Sequence, residues 1–231
     1  MTDDFARRVT GVAALAEDVR RDLYLYVVAE PEPVSRDQAA AGVGVPRHTA
    51  KFHLDRLVEE GLLETEFRRL SGRQGPGAGR PAKLYRRSPG EVTVSLPERH
   101  YDLAGRLLAG AIEDASRDET PVAEALKSGA QSYGSGLGAE ARDRAGEPVT
   151  ASAAQSAACA VLAEHGYEPR VVDGSITLHN CPFHRLAQEH TDLVCGMNLD
   201  LVGALAAGLD DHLTARLDPA DGRCCVVLDT A

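Results

Sequence analysis

Residues 71–81 read SGRQGPGAGRP, with four glycines and two prolines. Glycine is costly inside a helix or strand, and proline removes a backbone donor, so this stretch is a loop. What flanks it then constrains the fold. Residues 62–70 and 83–87 are strand-like, so the loop joins two strands. Upstream, residues 46–60 predict a helix whose Ala50, Leu54, Leu57 and Val58 form one apolar stripe, with Pro46 near its first turn and Gly61 just past its end. A shorter helix at 36–42 is announced by Ser35 as N-cap and stopped by Gly42 and Gly44. Before it, Val12, Leu15, Ala16, Val19, Leu23 and Tyr26 recur at spacings of three and four and predict one helix over 9–28, ended by Pro31 and Pro33.

Helix, turn, helix, strand, glycine-rich loop, strand is the order of a winged helix-turn-helix. Its second helix enters the major groove of duplex DNA, which is wide enough to admit it. With Leu54, Leu57 and Val58 turned inward, Arg47, His48, Thr49, Lys51, Phe52 and His53 are left for DNA. Arg47 and Lys51 are four apart on one face, so one can read a guanine edge while the other neutralises a phosphate. The loop is the wing, from which Arg73 and Arg80 reach phosphates or a narrow minor groove, and Lys83 at the start of the following strand joins the DNA-binding residues.

Charge supports this reading once it is resolved along the chain. The net charge is -10, but residues 1–90 carry 15 Lys and Arg against 13 Asp and Glu, and residues 68–87 hold seven basic residues and no acidic one. Such a run suits a polyanion. The wing glycines do not form a phosphate-cradling nucleotide loop, because no Gly-Lys-Ser/Thr follows and no helix begins there.

The run PRHTAKFHLDRLVEEGLLE followed by GRPAKLYR resembles the ArsR-type winged-helix repressors. That resemblance implies a double-stranded DNA operator as partner and a homodimer matched to a two-fold site. The helices at 9–28 and 97–116 offer apolar faces for pairing.

The second half alternates helices with short strands. After a linker at 88–98, helices are expected over 97–116, 121–138 and 151–165. A hairpin follows, with strands 168–172 and 175–179 about Asp173 and Gly174. Residues 182–190 and 193–210 are helical candidates, and 214–217 and 224–229 flank a turn at 219–222. The expected fold class is α+β. A winged helix-turn-helix domain over 1–90 precedes an α+β sensor domain over 91–231 with a small antiparallel sheet.

Five cysteines punctuate that second half. The acidic start MTDDFARRV carries no secretory signal, and no stretch reaches the roughly 18 apolar residues of a membrane span, so a cytoplasmic protein with no membrane partner is expected. Thiols there are reduced or bind metal. Cys181, within Cys181-Pro182-Phe183-His184, ends a strand; Cys195 sits early in a helix; Cys224 begins a strand. Three thiolates from three elements can ligate an iron–sulfur cluster and leave a fourth position for His184 or another ligand. Three cysteines and a histidine suit tetrahedral zinc equally. Cys159, in the apolar run AACAVL, is a core thiol. No orienting third group accompanies Cys181 and His184, so catalysis is not expected.

The region 180–228 resembles the sensor half of SufR-like regulators, repressors that carry a [4Fe-4S] cluster. The resemblance aligns Cys181, Cys195 and Cys224 with the ligands and leaves Cys225 to the core. More distantly, the second half is similar to small-ligand domains of the vinyl-reductase type, which implies an organic effector instead.

Overall fold

The computed structural model describes residues 3–69, 81–211 and 213–230. Arg73 and Arg80 lie outside them. The chain divides into two compact units, Met1–Val94 and Ser95–Ala231.

The first unit opens with α1 (Asp3–Ala14) and α2 (Asp18–Ala29) where one helix over 9–28 was expected. The amides of Leu15 and Ala16 bond back three residues, to the carbonyls of Val12 and Ala13, which tightens and ends α1. Glu17 then starts a new helix: its carboxylate accepts from the amides of Val19 and Arg20. The apolar spacing continues through this break, so periodicity alone does not reveal it. After a two-residue strand β1 (Val34–Ser35) comes α3 (Arg36–Val43), held by a capping box. Ser35 Oγ accepts from the Gln38 amide, and Gln38 Oε1 accepts from the Ser35 amide at 2.9 Å. Gly44 closes α3 in the left-handed conformation, φ +75°, which glycine adopts without strain.

The chain continues through α4 (Arg47–Glu59), β2 (Leu63–Arg68) and β3 (Ala82–Arg87). β2 and β3 pair antiparallel from Leu63↔Arg87 to Arg68↔Ala82, and β1 joins the far side of β3 through Val34↔Tyr85 and Ser35↔Leu84. The sheet order is β1-β3-β2. Leu23, Val27, Ala39, Ala50, Leu54, Leu57 and Leu63 are buried together beneath it. β1 escapes sequence reading because two residues carry no periodicity.

The second unit holds α5 (Tyr101–Asp118), α6 (Val122–Ala145), α7 (Ala151–Glu164), β4 (Pro169–Val172), β5 (Ser175–Leu178), α8 (His184–Glu189), α9 (Thr191–Leu209), β6 (Leu213–Leu217) and β7 (Val226–Thr230). Its four strands form one antiparallel sheet, β4-β5-β7-β6. The α+β class therefore holds. The first long helix begins at Tyr101 and not at 97, with His100 in a non-helical conformation as its N-cap.

α9 lies against α6 so closely that a Cβ on Gly134 would sit 2.0 Å from the Leu201 carbonyl oxygen, and one on Gly138 2.7 Å from that of Leu205. Leu201, Val202, Leu205, Ala206 and Leu209 are buried in the resulting core. By length and composition α9 meets the test for a membrane-spanning helix, against the expectation that no stretch does, and half of its apolar window is buried inside the unit.

Candidate nucleic-acid interface and thiol cluster

α4 presents two faces. Ala50, Leu54 and Leu57 are buried, while Arg47, His48, Lys51 and Phe52 are exposed, Phe52 at 65%. Thr49 is half-buried. His53, expected among the DNA-facing residues, is turned inward and only 9% exposed. Its Nδ1 lies 3.4 Å from both Arg20 Nε and Glu17 Oε2, so it fastens α4 to the start of α2. A histidine three residues after Ala50 and one before Leu54 belongs to the apolar stripe by position; its polarity hides this in the sequence.

Lys83 on β3 reaches α4 through a residue that sequence reading passed over. Asp55 Oδ1 accepts from Lys83 Nζ at 2.6 Å and from the Tyr85 hydroxyl at 3.0 Å, and Oδ2 lies 3.2 Å from Lys51 Nζ. Burial alone would raise the Asp55 carboxyl, but the hydrogen bonds from Lys83, Lys51 and Tyr85 outweigh it and hold the group below the usual range. Burial, with Asp55 nearby, keeps the Tyr85 hydroxyl protonated far above its ordinary range, so it stays a donor. The Lys83 ammonium also stands 5.0 Å from the centre of the Tyr85 ring. Arg47 Nη2 pairs with Asp37 Oδ2 on α3 at 2.6 Å. An acid four residues after Lys51 was the only available signal for this site.

In the second unit four cysteines interact as a chain of neighbours: Cys181 with Cys224, Cys224 with Cys225, and Cys225 with Cys195. Cys181 follows β5, Cys195 lies at the start of the second turn of α9, and Cys224 and Cys225 precede β7 instead of beginning it. Cys224 is only 1% exposed and Cys225 half-buried, the reverse of the expected assignment of Cys225 to the core. Cys159 is half-buried on α7 and outside the chain of thiols. His184 is exposed at the first position of α8, where its amide closes a turn on the Cys181 carbonyl.

Two buried amides hold the cluster's walls. Asn198, 1% exposed, lies one turn after Cys195 on the same side of α9. Its Nδ2 donates to Cys224 Sγ at 3.2 Å, and its Oδ1 accepts from the Tyr167 hydroxyl at 2.5 Å. Asn180 donates to the carbonyls of Glu98 and Gly166 and accepts from Arg99, whose guanidinium also reaches the Cys181 carbonyl at 3.2 Å.

The shared hydrogen bond with Cys224, helped by the Phe183 backbone and opposed by burial, lowers the Cys181 thiol below its ordinary value; the same partnership pushes Cys224 up to about 12. Burial, then Cys225, pushes Cys195 up to about 12, and Cys225 is raised by Cys224. Among the described residues no group of three or more His, Cys, Asp or Glu side chains stands close enough to hold a single metal ion.

Residues 15–66 match a protein family described as a helix-turn-helix domain, a span running from the end of α1 into β2. No curated protein and no solved structure matches the chain. Residues 15–66 of the first unit thus match a helix-turn-helix domain, which supports a DNA-binding transcription regulator.

Proposed function

We propose that this regulator is a cytoplasmic, homodimeric repressor of the SufR-like kind, whose operator binding is set by a soft metal centre held at Cys181, Cys195 and Cys224, most simply a [4Fe-4S] cluster. The observation that carries the reading is the run of four adjacent thiols in a unit joined to a DNA-binding domain. Soft thiolates suit iron–sulfur clusters and zinc alike. A single ion needs its donors around one point, which this chain of pairs does not provide, whereas a cluster accepts ligands spread over its corners. Cys225 stands among the thiols and His184 does not, so Cys225 is the better fourth donor.

Bound there, such a cluster supplies redox- and oxygen-sensitive chemistry. The protein's part is to hold the donors. Asn198 Nδ2 steadies the Cys224 sulfur, and Tyr167 fixes the Asn198 amide. A signal follows only if the metal favours one DNA-competence state, and a coupling of about 1–3 kcal/mol is typical.

A second reading, an organic effector, rests on an open groove of about 630 Å³ between α6, α9 and β6, whose lining includes Gln131, Ser135 and Asp200. Anaerobic purification with iron, sulfide and zinc analysis separates the readings. Iron and sulfide bound to wild type, lost in Cys181→Ser, Cys195→Ser and Cys224→Ser but kept in Cys159→Ser, is the expected result. Zinc alone would point to a structural or zinc-sensing site. Metal-free protein with unchanged DNA affinity in all the variants would leave the organic effector.

A further inference from the structure

We infer that Asp37 and Asp55 restrain the grip of this domain on DNA of arbitrary sequence, by holding in place of phosphate the cations that face the duplex. Three such cations, Arg47, Lys51 and Lys83, end on two carboxylates, with Arg36 beside them. Asp37 Oδ2 lies 2.6 Å from Arg47 Nη2, and its Oδ1 lies 3.4 Å from Arg36 Nε. Asp55 Oδ1 lies 2.6 Å from Lys83 Nζ, and its Oδ2 lies 3.2 Å from Lys51 Nζ. Both carboxylates open on one cleft of about 240 Å³ between the start of α3, α4 and β3.

A carboxylate oxygen and a phosphate oxygen make the same charge-assisted bond to an ammonium or guanidinium, so each competes for the same donors. Phosphate contacts carry affinity without sequence, while base edges carry specificity. A carboxylate that must be displaced or shared therefore lowers affinity for every duplex alike. Only a duplex that adds base contacts makes up the loss. The restraint raises the ratio of specific to non-specific binding, which is what a regulator facing a genome of competing sites requires.

The arrangement is not explained by stability. The Arg47–Asp37 pair is largely exposed on both sides, and such pairs add little to folding. Asp55 also locks β3 to α4, so its removal has structural consequences as well; Asp37 provides the cleaner test. A merely structural acid, when neutralised, leaves DNA binding unchanged or weaker. A competitor, when neutralised, leaves it tighter.

The test uses the full chain and a short duplex of random sequence, followed by fluorescence anisotropy across a potassium chloride series, with Asp37→Asn, Asp55→Asn and the double variant beside wild type. Asp37→Asn is expected to bind about 3–10-fold tighter at low salt, with the advantage shrinking as salt screens the freed charge. The double variant is expected to bind tighter still. An Asp37→Asn protein that melts like wild type yet binds random duplex no more tightly overturns the inference. If neither wild type nor variants bind any duplex, the DNA-binding reading fails and the inference falls with it.

Discussion

His53 and Asp55 stand two positions apart on α4, and each ties that helix to a different neighbour. His53 meets Arg20 and Glu17 of the α2 entry, and Asp55 meets Lys83 and Tyr85 of β3. The Asp55 carboxyl is held below its usual value of 3.8, so its contribution to stability is fully present above that value and is lost as pH falls through the lower, folded one. The melting temperature of wild type should exceed that of Asp55→Asn at neutral pH, and the gap should close below pH 3.8. A gap that widened on acidification would remove the role assigned to the carboxylate. On the outer face, Arg47→Ala should weaken operator binding, by about 1–3 kcal/mol if the guanidinium reads a base edge. Operator titrations with single base-pair changes would locate that base.

The packing of α6 on α9 depends on the absence of side chains. Gly134→Ala places a methyl 2.0 Å from a backbone carbonyl oxygen that can yield only by moving the helix. A loss of about 1–3 kcal/mol in urea unfolding is expected, as for other overpacked cores. Gly136, two residues along the same helix, would meet nothing within 4 Å, so Gly136→Ala should stabilise by up to about 1 kcal/mol through helix propensity. Equal effects at the two positions would contradict the close approach. Both glycines look alike in the sequence; only the partner helix separates them. The break between α1 and α2 is a similar case, since Glu17 caps α2 within an apolar spacing that runs on uninterrupted.

Across the whole molecule, the thiols and the exposed cations of α4 lie in different units of one chain. Under the metal-centre proposal, Cys225→Ser should lower metal content alongside Cys181→Ser, Cys195→Ser and Cys224→Ser, while His184→Ala should leave it unchanged. Metal analysis of anaerobic protein decides between Cys225 and His184. Asn198→Leu should keep the fold and weaken metal retention, because Cys224 Sγ then loses its amide donor. A variant with full metal retention against a competing chelator would confine Asn198 to packing.

The winged-helix order was legible because it rests on local rules: a capping serine, an apolar stripe of period 3.6, and a glycine-rich loop between two strand-like runs. The three cysteines from three elements were legible as candidates because thiols are rare and chemically distinct. What tertiary structure alone decided are relations between side chains far apart in sequence. A polar residue at an inward position of α4, here His53, becomes buried once Arg20 and Glu17 supply partners across 33 and 36 residues. Asp55 becomes a junction only when β3 brings Lys83 and Tyr85 within hydrogen-bond reach. Cys225 joins the thiols because the pair Cys224–Cys225 lies ahead of β7, outside the alternation that would have sent the two side chains to opposite faces. Spacing along a chain predicts which faces its elements have; which groups meet across them is set by the packing of those faces in three dimensions.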